Sequence, residues 1–323
     1  MLYLNEENLK SIGITNWSDT INVIEGAVAC LCNNDYSQPI KPYLRYGDLK
    51  NRIIAMPAYV GGGFNVAGIK WIASFPDNIK KGIARANSVV VLNNADTGEP
   101  IAVINTALLS IIRTVSVSGL MMKYFNKKRN LQNFNLGIIG FGPIGQYHLK
   151  MFMSLFGNEL KKVFLYDIKG IDKKTINCEH EDRVMVVDRW EDAYSDSDVL
   201  ITCTVSKDRY IDKKPKNGSL HLNVSLRDYK IDVFEHFKNA IIVDDWDEVC
   251  RENTDIEVMS REKGLRKSDV KDIGDIVCNN SLEAIESRQA VMFNPMGMGI
   301  FDIAIGKYYC DQAKNKQIGK EMM

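Results

Sequence analysis

Residues 136–145 read L-G-I-I-G-F-G-P-I-G, an apolar run that ends in three glycines with the spacing G-x-G-x-x-G. This stretch constrains the fold most, because each glycine suits a turn from a β-strand into a helix whose first N–H groups bind phosphate. Gly140 allows the sharp turn, Gly142 leaves bare backbone for a pyrophosphate, and Gly145 lets the helix pack closely on the strand. We therefore predict a β-α unit that binds a dinucleotide.

A second strand-like run, residues 163–166, follows a helical stretch and ends at Asp167. A carboxylate about 20 residues beyond the last glycine is placed to accept the ribose hydroxyls of the adenosine, and it repels a ribose phosphate. The order of strand, glycines, helix and acid therefore favours NAD over NADP. The alternative is an ordinary β-α-β unit with a tight turn and a solvated Asp167.

Apolar runs separated by helix-compatible spacers continue along the middle of the chain, a pattern typical of a parallel, doubly wound sheet. The runs are 136–140, 163–166, 184–187, 199–205, 220–224 and 240–243. Ligands of such sheets bind at the carboxyl ends of the strands, so Cys203, Thr204 and Val205 are candidates for cofactor contact. Cys203 has no histidine partner by sequence, which favours packing over a nucleophilic role. Asp228 follows a predicted strand and is either a general acid/base or a turn cap.

The first third of the chain follows a different pattern. A helix is predicted at residues 21–33, and strands are predicted at 51–60, 66–74, 88–93 and 101–105. The last two flank N-A-D-T-G-E-P, a hairpin signal, so we expect an antiparallel or mixed sheet in a separate domain. The helix predicted at residues 300–314 is expected to return to this domain.

Three basic residues of this region have apolar neighbours: Arg52, Lys70 in G-I-K-W-I, and Arg113 in L-L-S-I-I-R-T-V. Buried cations are rare unless they are paired. For any one of them, an ion pair with an internal acid or an extended side chain that reaches solvent is the simpler interpretation. When the three cations are considered together, a competing interpretation is that they bind a substrate that carries carboxylates, because guanidinium groups bind carboxylates in bidentate fashion.

Composition excludes several classes of partner. Lys+Arg and Asp+Glu both number 41, so no net charge attracts nucleic acid or a membrane surface. No apolar run approaches a transmembrane helix in length, and the first residues are acidic where a signal peptide would be basic, so we expect a cytoplasmic protein. The 7 cysteines form no C-x-x-C and the 4 histidines show no ligand spacing, so we expect reduced thiols and no metal site.

Six segments resemble the ornithine cyclodeaminase/mu-crystallin family: R-I-I-A-M-P, G-I-K-W, I-R-T-V-S-V-S, G-F-G-P-I-G, H-L-N-V-S-L-R-D and N-P-M-G-M-G-I-F-D-I. The resemblance covers nearly the whole chain. It implies an α/β fold with a Rossmann NAD-binding domain, residues 116–299. It also implies an α+β domain, residues 1–115 with 300–323, that binds substrate and forms a homodimer.

The resemblance also assigns roles to residues. Arg52, Lys70 and Arg113 would bind a substrate carboxylate, and Asp228, with Lys70, would be catalytic. The cofactor would contact Thr114, Gly140, Gly142, Pro143, Ile144, Gly145, Asp167, Cys203, Thr204 and Val205.

The segments Q-P-I-K-P-Y-L-R, D-D-W and N-P-M-G-M resemble one branch of the family. That branch oxidises N-(2-amino-2-carboxyethyl)-L-glutamate with NAD to L-2,3-diaminopropionate, a building block of siderophores and peptide antibiotics, and 2-oxoglutarate. Cyclodeaminases usually carry a Gly- and Pro-rich run with a lysine around the catalytic aspartate, whereas here Leu226-Arg227 precede Asp228 and Tyr229-Lys230 follow it. The alternatives are conversion of ornithine to proline and ammonia, imine reduction or amino-acid dehydrogenation, and non-catalytic NAD(P)-dependent ligand binding.

Overall fold

The computed structural model of the chain describes residues 1–178 and 180–322. It contains two compact units. Unit 1 comprises Met1–Ser116 and the segment from Gly297 onward, and unit 2 comprises Val117–Met296. The boundaries predicted from the sequence lie after residues 115 and 299.

The strands are β1 (Leu2–Asn5), β2 (Tyr36–Ser37), β3 (Tyr43–Leu44), β4 (Arg52–Val60), β5 (Val66–Ser74), β6 (Ala86–Asn94), β7 (Pro100–Asn105), β8 (Phe134–Ile139), β9 (Leu160–Tyr166), β10 (Val184–Val186), β11 (Val199–Thr202), β12 (Leu220–Asn223), β13 (Ile241–Val243), β14 (Lys271–Asp272), β15 (Val291–Asn294) and β16 (Lys320–Glu321). The α-helices are α1 (Glu6–Ile12), α2 (Trp17–Cys32), α3 (Leu108–Arg129), α4 (Pro143–Phe156), α5 (Trp190–Ser195), α6 (Phe234–Phe237), α7 (Trp246–Val249), α8 (Asp255–Lys263), α9 (Ile273–Asn279) and α10 (Gly299–Lys316).

Unit 1 is built on a mixed sheet with the strand order β16-β1-β7-β6-β5-β4-β2, and β3 pairs with the edge of β4. β1 runs parallel to β7, and the other pairs are antiparallel. The expected hairpin is present as β6 and β7, and the predicted strands at 51–60 and 66–74 are confirmed.

Helix α10 packs on one face of this sheet, against β4, β5 and β6. Most of its residues are buried, because α1 and α2 cover its other side. Residues on the covered face of the sheet, such as Met56, Val60, Val90 and Leu92, are buried, and they alternate with half-buried residues on the opposite face. The C-terminal helix therefore belongs to the first unit, as the sequence predicts.

Unit 2 is a doubly wound parallel sheet with the order β10-β9-β8-β11-β12-β15-β13-β14. The chain runs outward from β8 through β9 to β10, and then returns to the other side of β8 at β11. The strand order therefore reverses between β8 and β11, and ligands of such sheets bind in the crevice outside this point. The Rossmann fold expected from the sequence is confirmed.

Two features of this sheet differ from the expectation. β15 inserts between β12 and β13, and β14 forms the edge, although neither was predicted. β15 is short and buried on both faces, so it lacks the alternation that identifies a strand. The predicted run 199–205 also extends too far, because ladder pairing ends at Thr202 and residues 203–205 form a loop.

One expectation from composition needs correction. α3 is long and apolar enough to cross a membrane, but 72% of its most apolar stretch is buried inside the protein, as in a core helix. Five cysteines are free thiols: Cys30, Cys178, Cys203, Cys250 and Cys310.

Candidate active site

The glycine-rich turn follows β8 directly. Gly140 has a φ of +93°, a left-handed conformation that favours glycine. A Cβ at this position would lie 2.7 Å from the carbonyl carbon of Cys203, so the turn also approaches the end of β11 too closely for a side chain. The turn is thereby fixed beside the point where the strand order reverses.

Helix α4 begins immediately after this turn. Gly142 is its N-cap and makes no side-chain cap bond, and a Cβ there would meet nothing within 4 Å. Pro143 and Ile144 form the first turn of the helix, and a Cβ on Gly145 would lie 2.2 Å from the Gly140 carbonyl oxygen. The helix therefore packs tightly on the strand, while its N-terminus offers open backbone that suits a phosphate.

Asp167 follows β9 and faces the same turn. Its Oδ2 accepts a hydrogen bond from the Phe141 N–H at 2.8 Å, and its Oδ1 accepts one from the Lys169 N–H at 2.9 Å. A carboxylate oxygen has a further lone pair, so each can still accept a ribose hydroxyl. The open helix terminus, the tight turn and this acid fit a dinucleotide.

Three of the candidate residues form the loop after β11. The Cys203 N–H donates to the Ile139 carbonyl at 2.7 Å, and Val205 is 61% exposed. Burial raises the pKa of the Cys203 thiol, and the charge of Asp228 raises it further, so the sulfur stays protonated. The His148 Nδ1 lies 3.8 Å from this sulfur, but burial lowers the pKa of the imidazole to about 4. A neutral pair of this kind supports packing and not nucleophilic chemistry.

Asp228 is fully buried in unit 2. The Thr204 Oγ1 donates to its Oδ1 at 2.5 Å, and the Ser225 hydroxyl donates to its Oδ2. Burial raises the pKa of the Asp228 carboxyl, the two hydroxyl donors oppose that rise, and the nearby Asp255 adds to it. Asp228 is therefore held by neutral hydroxyl groups, in surroundings that raise the pKa of its carboxyl.

Lys70 and Arg113 come together in unit 1 around one acid. The Lys70 Nζ lies 2.8 Å from the Asp302 Oδ2, and the Arg113 Nε lies 2.9 Å from its Oδ1. The Ser110 Oγ is a further partner of the Lys70 Nζ, at 3.3 Å. Lys70 and Arg113 each form an ion pair with an internal acid, but both of them pair with the single carboxylate of Asp302.

The electrostatics of this cluster are dominated by burial, since Lys70 is 1% exposed. Burial lowers the pKa of Lys70 to about 7; the attraction of Asp302 opposes the shift, and the charges of Arg113 and Lys41 add to it. Lys41 is itself buried, and its Nζ donates to the Gly297 carbonyl at 2.7 Å. The cluster therefore combines three cations with the carboxylate of Asp302.

Arg52 lies at the start of β4. Lys70 pairs with Met56, four residues along that strand, so the side chains of Arg52 and Lys70 point to the same face of the sheet. The Arg52 guanidinium lies over the ring of Tyr43, 5.4 Å from its centroid. Thr114 is half-buried on α3, and its hydroxyl donates to the Ser110 carbonyl at 2.8 Å.

The sequence analysis missed four residues of these two sites: Lys41, Ser110, Ser225 and Asp302. The available signal for Asp302 was a single acid within the apolar run G-I-F-D-I-A-I. In the first turn of α10 this carboxylate is also favoured by the helix dipole. Lys41 lies in the proline-punctuated segment Q-P-I-K-P, where no periodicity indicates burial.

Comparison with known proteins identifies the family. A sequence profile of the ornithine cyclodeaminase/mu-crystallin family matches residues 8–317. The N-((2S)-2-amino-2-carboxyethyl)-L-glutamate dehydrogenase of Staphylococcus aureus is 32% identical over 341 residues, covering 99% of this chain and 97% of the relative. The chain belongs to the ornithine cyclodeaminase/mu-crystallin family. The alanine dehydrogenase of Archaeoglobus fulgidus is also similar, at 27% identity over 99% of this chain and 98% of the relative.

Solved structures of similar fold span the whole chain. The Thermococcus litoralis Delta(1)-pyrroline-2-carboxylate reductase, solved with NADH and L-proline, superposes with a TM-score of 0.87 at 21% identity and covers 100% of both chains. An archaeal alanine dehydrogenase dimer with bound NAD gives a TM-score of 0.83 at 24% identity, covering 100% of this chain and 99% of that one. The fold expected from the family resemblance is thereby confirmed.

Proposed function

We propose that this member of the family oxidises N-(2-amino-2-carboxyethyl)-L-glutamate. With NAD and water the products are L-2,3-diaminopropionate, 2-oxoglutarate, NADH and a proton. The Staphylococcus aureus relative, named for a dehydrogenase of this compound, is 32% identical along almost the full length of both chains, which supports this choice of substrate.

The chain is an NAD-dependent oxidoreductase. Its relatives are named dehydrogenases and reductases, and similar structures were solved with NAD or NADH. Bound NAD supplies the hydride acceptor for a carbon bonded to nitrogen. In unit 2, the turn at Gly140, the open N-terminus of α4 beside Gly142 and the carboxylate of Asp167 would hold the dinucleotide, and Asp167 favours NAD over NADP.

The observation that carries the proposed substrate class is the buried cluster around Asp302. Lys70 and Arg113 share its single carboxylate, so a ligand carboxylate would be attracted to the remaining positive charge. The Arg113 guanidinium uses its Nε for Asp302, which leaves its amino groups for a bidentate contact. Arg52, on the same face of the sheet as Lys70, would bind a further carboxylate of a substrate that carries three.

Asp228 is the proposed acid/base. Its pKa is raised by burial, which brings proton exchange closer to neutral pH. The half-buried hydroxyl groups of Thr204 and Ser225 contact its two oxygens and would pass protons between Asp228 and the reacting groups. Removal of the hydride from the glutamate α-carbon would leave an imine. Asp228 would take a proton from water as that water adds to the imine carbon. The adduct would then release the amine. Lys70, with a pKa of about 7, would both orient the substrate and exchange protons.

The experiment that tests this function is a substrate comparison with purified protein and NAD. The glutamate conjugate should yield equal amounts of NADH and 2-oxoglutarate. Proline and ammonia from ornithine, without net NADH, would support cyclodeamination instead. Reduction of cyclic imines, or of pyruvate with ammonia, would support the reductase or alanine dehydrogenase alternatives. Tight cofactor binding without turnover of any amine would support a binding protein.

A homodimer is proposed from the uncovered face of the unit 1 sheet. On the face of this sheet opposite to α10, several apolar side chains are half-buried or exposed: Ile53, Pro57, Ile69, Trp71 and Val91. Trp71 is 41% exposed at the middle of this face, and an apolar face of this extent indicates a partner. A second copy would cover it, and the similar archaeal structure is described as a dimer. Trp71→Asp should give monomers by analytical ultracentrifugation, and dimers that persist would contradict the proposal.

A further inference from the structure

The loop that carries Asp228 has a conformation that its own residues do not favour. Leu226 has a φ of +63°, in the left-handed region that costs a branched side chain of this size free energy. Such a backbone persists only where surrounding groups hold it. This loop comprises residues 223–229. The groups that hold it in this conformation therefore also determine the position of Asp228.

Asp255, the first residue of α8, makes most of these contacts. Its Oδ2 accepts hydrogen bonds from the N–H groups of Asp228 and Tyr229, at 3.2 and 3.3 Å. Its own N–H donates to the Leu226 carbonyl at 2.7 Å. Asp255 is almost fully buried, although it lies 27 residues from Asp228 in the sequence. Asp255 thus contacts the strained Leu226 through its backbone N–H, and its carboxylate binds the backbone of the proposed catalytic residue.

Two side chains complete the support. The Asn223 Nδ2 donates to the Asp255 Oδ2 at 3.0 Å, and its Oδ1 accepts from the Leu226 N–H at 3.0 Å. The Arg209 Nε donates to the Asp255 Oδ1 at 2.7 Å, and its Nη2 donates to the Asn253 carbonyl at 2.6 Å. Arg209 is the cation that balances the buried Asp255 charge.

We propose that Asp255 is a positioning residue for the reaction: it fixes the backbone of the loop that carries Asp228 and, balanced by Arg209, sets the electrostatic field at the Asp228 carboxyl. This inference rests on the proposed acid/base role of Asp228. It assigns no contact with substrate or cofactor to Asp255 or Arg209.

The field has a definite sign. The negative charge of Asp255 raises the pKa of Asp228. Burial raises the pKa of Asp255 as well, and the charge of Arg209 opposes that rise, so Arg209 favours the ionised form of Asp255. Among the described residues, Cys203, Tyr210 and Tyr229 are further ionisable groups that interact with Asp228, and burial raises the pKa of each, so they stay neutral near pH 7. Asp255 is therefore the charged group of this network that acts on Asp228, and Arg209 acts through Asp255.

The test compares the pH dependence of kcat in Asp255→Asn and Arg209→Gln with the wild type. Asp255→Asn removes a negative charge, so the limb that reports Asp228 should move to lower pH. Arg209→Gln removes the cation that favours ionised Asp255, so the same limb should also move to lower pH, each by up to about one unit. NAD affinity should stay within twofold of wild type in both variants.

A matched control is available at an exposed ion pair nearby. The Lys230 Nζ lies 2.7 Å from the Asp212 Oδ2, with both side chains partly exposed, so Asp212→Asn and Lys230→Gln should leave the pH profile unchanged. Arg209 is partly exposed, so its variant tests the inference even where Asp255→Asn fails to fold.

A limb that moves to higher pH in either variant, or a lower kcat without any shift, would overturn the inference, because a merely structural role predicts no shift to lower pH. If the wild-type protein oxidises the conjugate but the variants give either of these results, only the role of Asp255 is contradicted. Wild-type protein that is inactive on every substrate would contradict the proposed function and this inference together.

Discussion

Each unit of the protein buries an aspartate that is central to a candidate site, and the surroundings of the two acids differ. Asp302 in unit 1 contacts the cations of Lys70 and Arg113. Asp228 in unit 2 contacts two neutral hydroxyl groups, and its pKa is raised by burial. The comparison teaches that residue type alone does not set the role of a buried carboxylate. Asp302 is the counter-ion of two buried cations, whereas Asp228 is the proposed acid/base.

The largest expected effect comes from making the same isosteric change at both acids. Asp302→Asn leaves two buried cations without their carboxylate and should lower the free energy of unfolding by about 3–5 kcal/mol. Asp228→Asn should keep or raise stability at neutral pH. The pKa of Asp228 is higher in the folded protein than in the unfolded chain. Ionisation of Asp228 therefore lowers the free energy of unfolding as the pH rises above the unfolded pKa, and asparagine, which does not ionise, avoids this loss.

Chemical denaturation of the two variants at neutral pH measures this difference, with hydrogen exchange of α10 as the local readout for unit 1. Equal losses of stability in the two variants would show that the carboxylates act alike, and would remove the distinction drawn between them.

The second prediction concerns substrate binding. Arg113→Met should weaken binding of the glutamate conjugate by about 2–4 kcal/mol, because a desolvated guanidinium contact to a carboxylate is lost. NAD affinity should not change, since the proposed cofactor residues of unit 2 are untouched. Calorimetric titration of each ligand separates the two effects, and a loss confined to NAD would reverse the assignment of the units.

The third prediction is the converse change in unit 2. A Cβ on Gly142 meets no protein atom within 4 Å, so Gly142→Ala should fold normally but place a methyl group where the pyrophosphate would lie. We expect NAD to bind about tenfold more weakly, about 1.4 kcal/mol. Gly63→Ala, which also meets nothing within 4 Å, is the matched control in unit 1. Unchanged NAD affinity in Gly142→Ala would contradict the proposed position of the phosphates.

The smallest expected effect is a protonation change at Lys70. Its pKa is about 7 in the free protein, and a bound carboxylate would raise it by favouring the ammonium form. At a pH about one unit above the pKa of Lys70, the protein should therefore take up close to one proton for each substrate molecule that binds. Calorimetry in two buffers of different ionisation enthalpy measures the uptake, which Lys70→Arg should abolish because arginine stays charged. Proton release in the wild type would contradict this role.

Much of unit 2 could be predicted from the sequence, because its signals are local. The glycine spacing, the strand before it and Asp167 after β9 all lie within one β-α-β segment, and the structure places them around one turn. Asp228 was identified from its position after a strand. β15 was missed because a short strand that is buried on both faces has no alternation.

The cluster in unit 1 could be predicted only in part, because its contacts are not local. Lys70 and Arg113 were identified by their apolar neighbours, but their partner Asp302 lies 189 residues from Arg113. No periodicity in the sequence connects such distant positions. For the same reason the contacts of Asp255 with the loop around Asp228 could not be predicted, since they depend on where α8 begins in space.

The most direct test of the account is turnover by Asp228→Asn with NAD and the glutamate conjugate, measured as NADH and 2-oxoglutarate. The account predicts that both ligands bind as in the wild type while turnover falls by about 1000-fold or more, within the range that general acid–base catalysis contributes. Turnover close to that of the wild type, with both ligands bound, would contradict it.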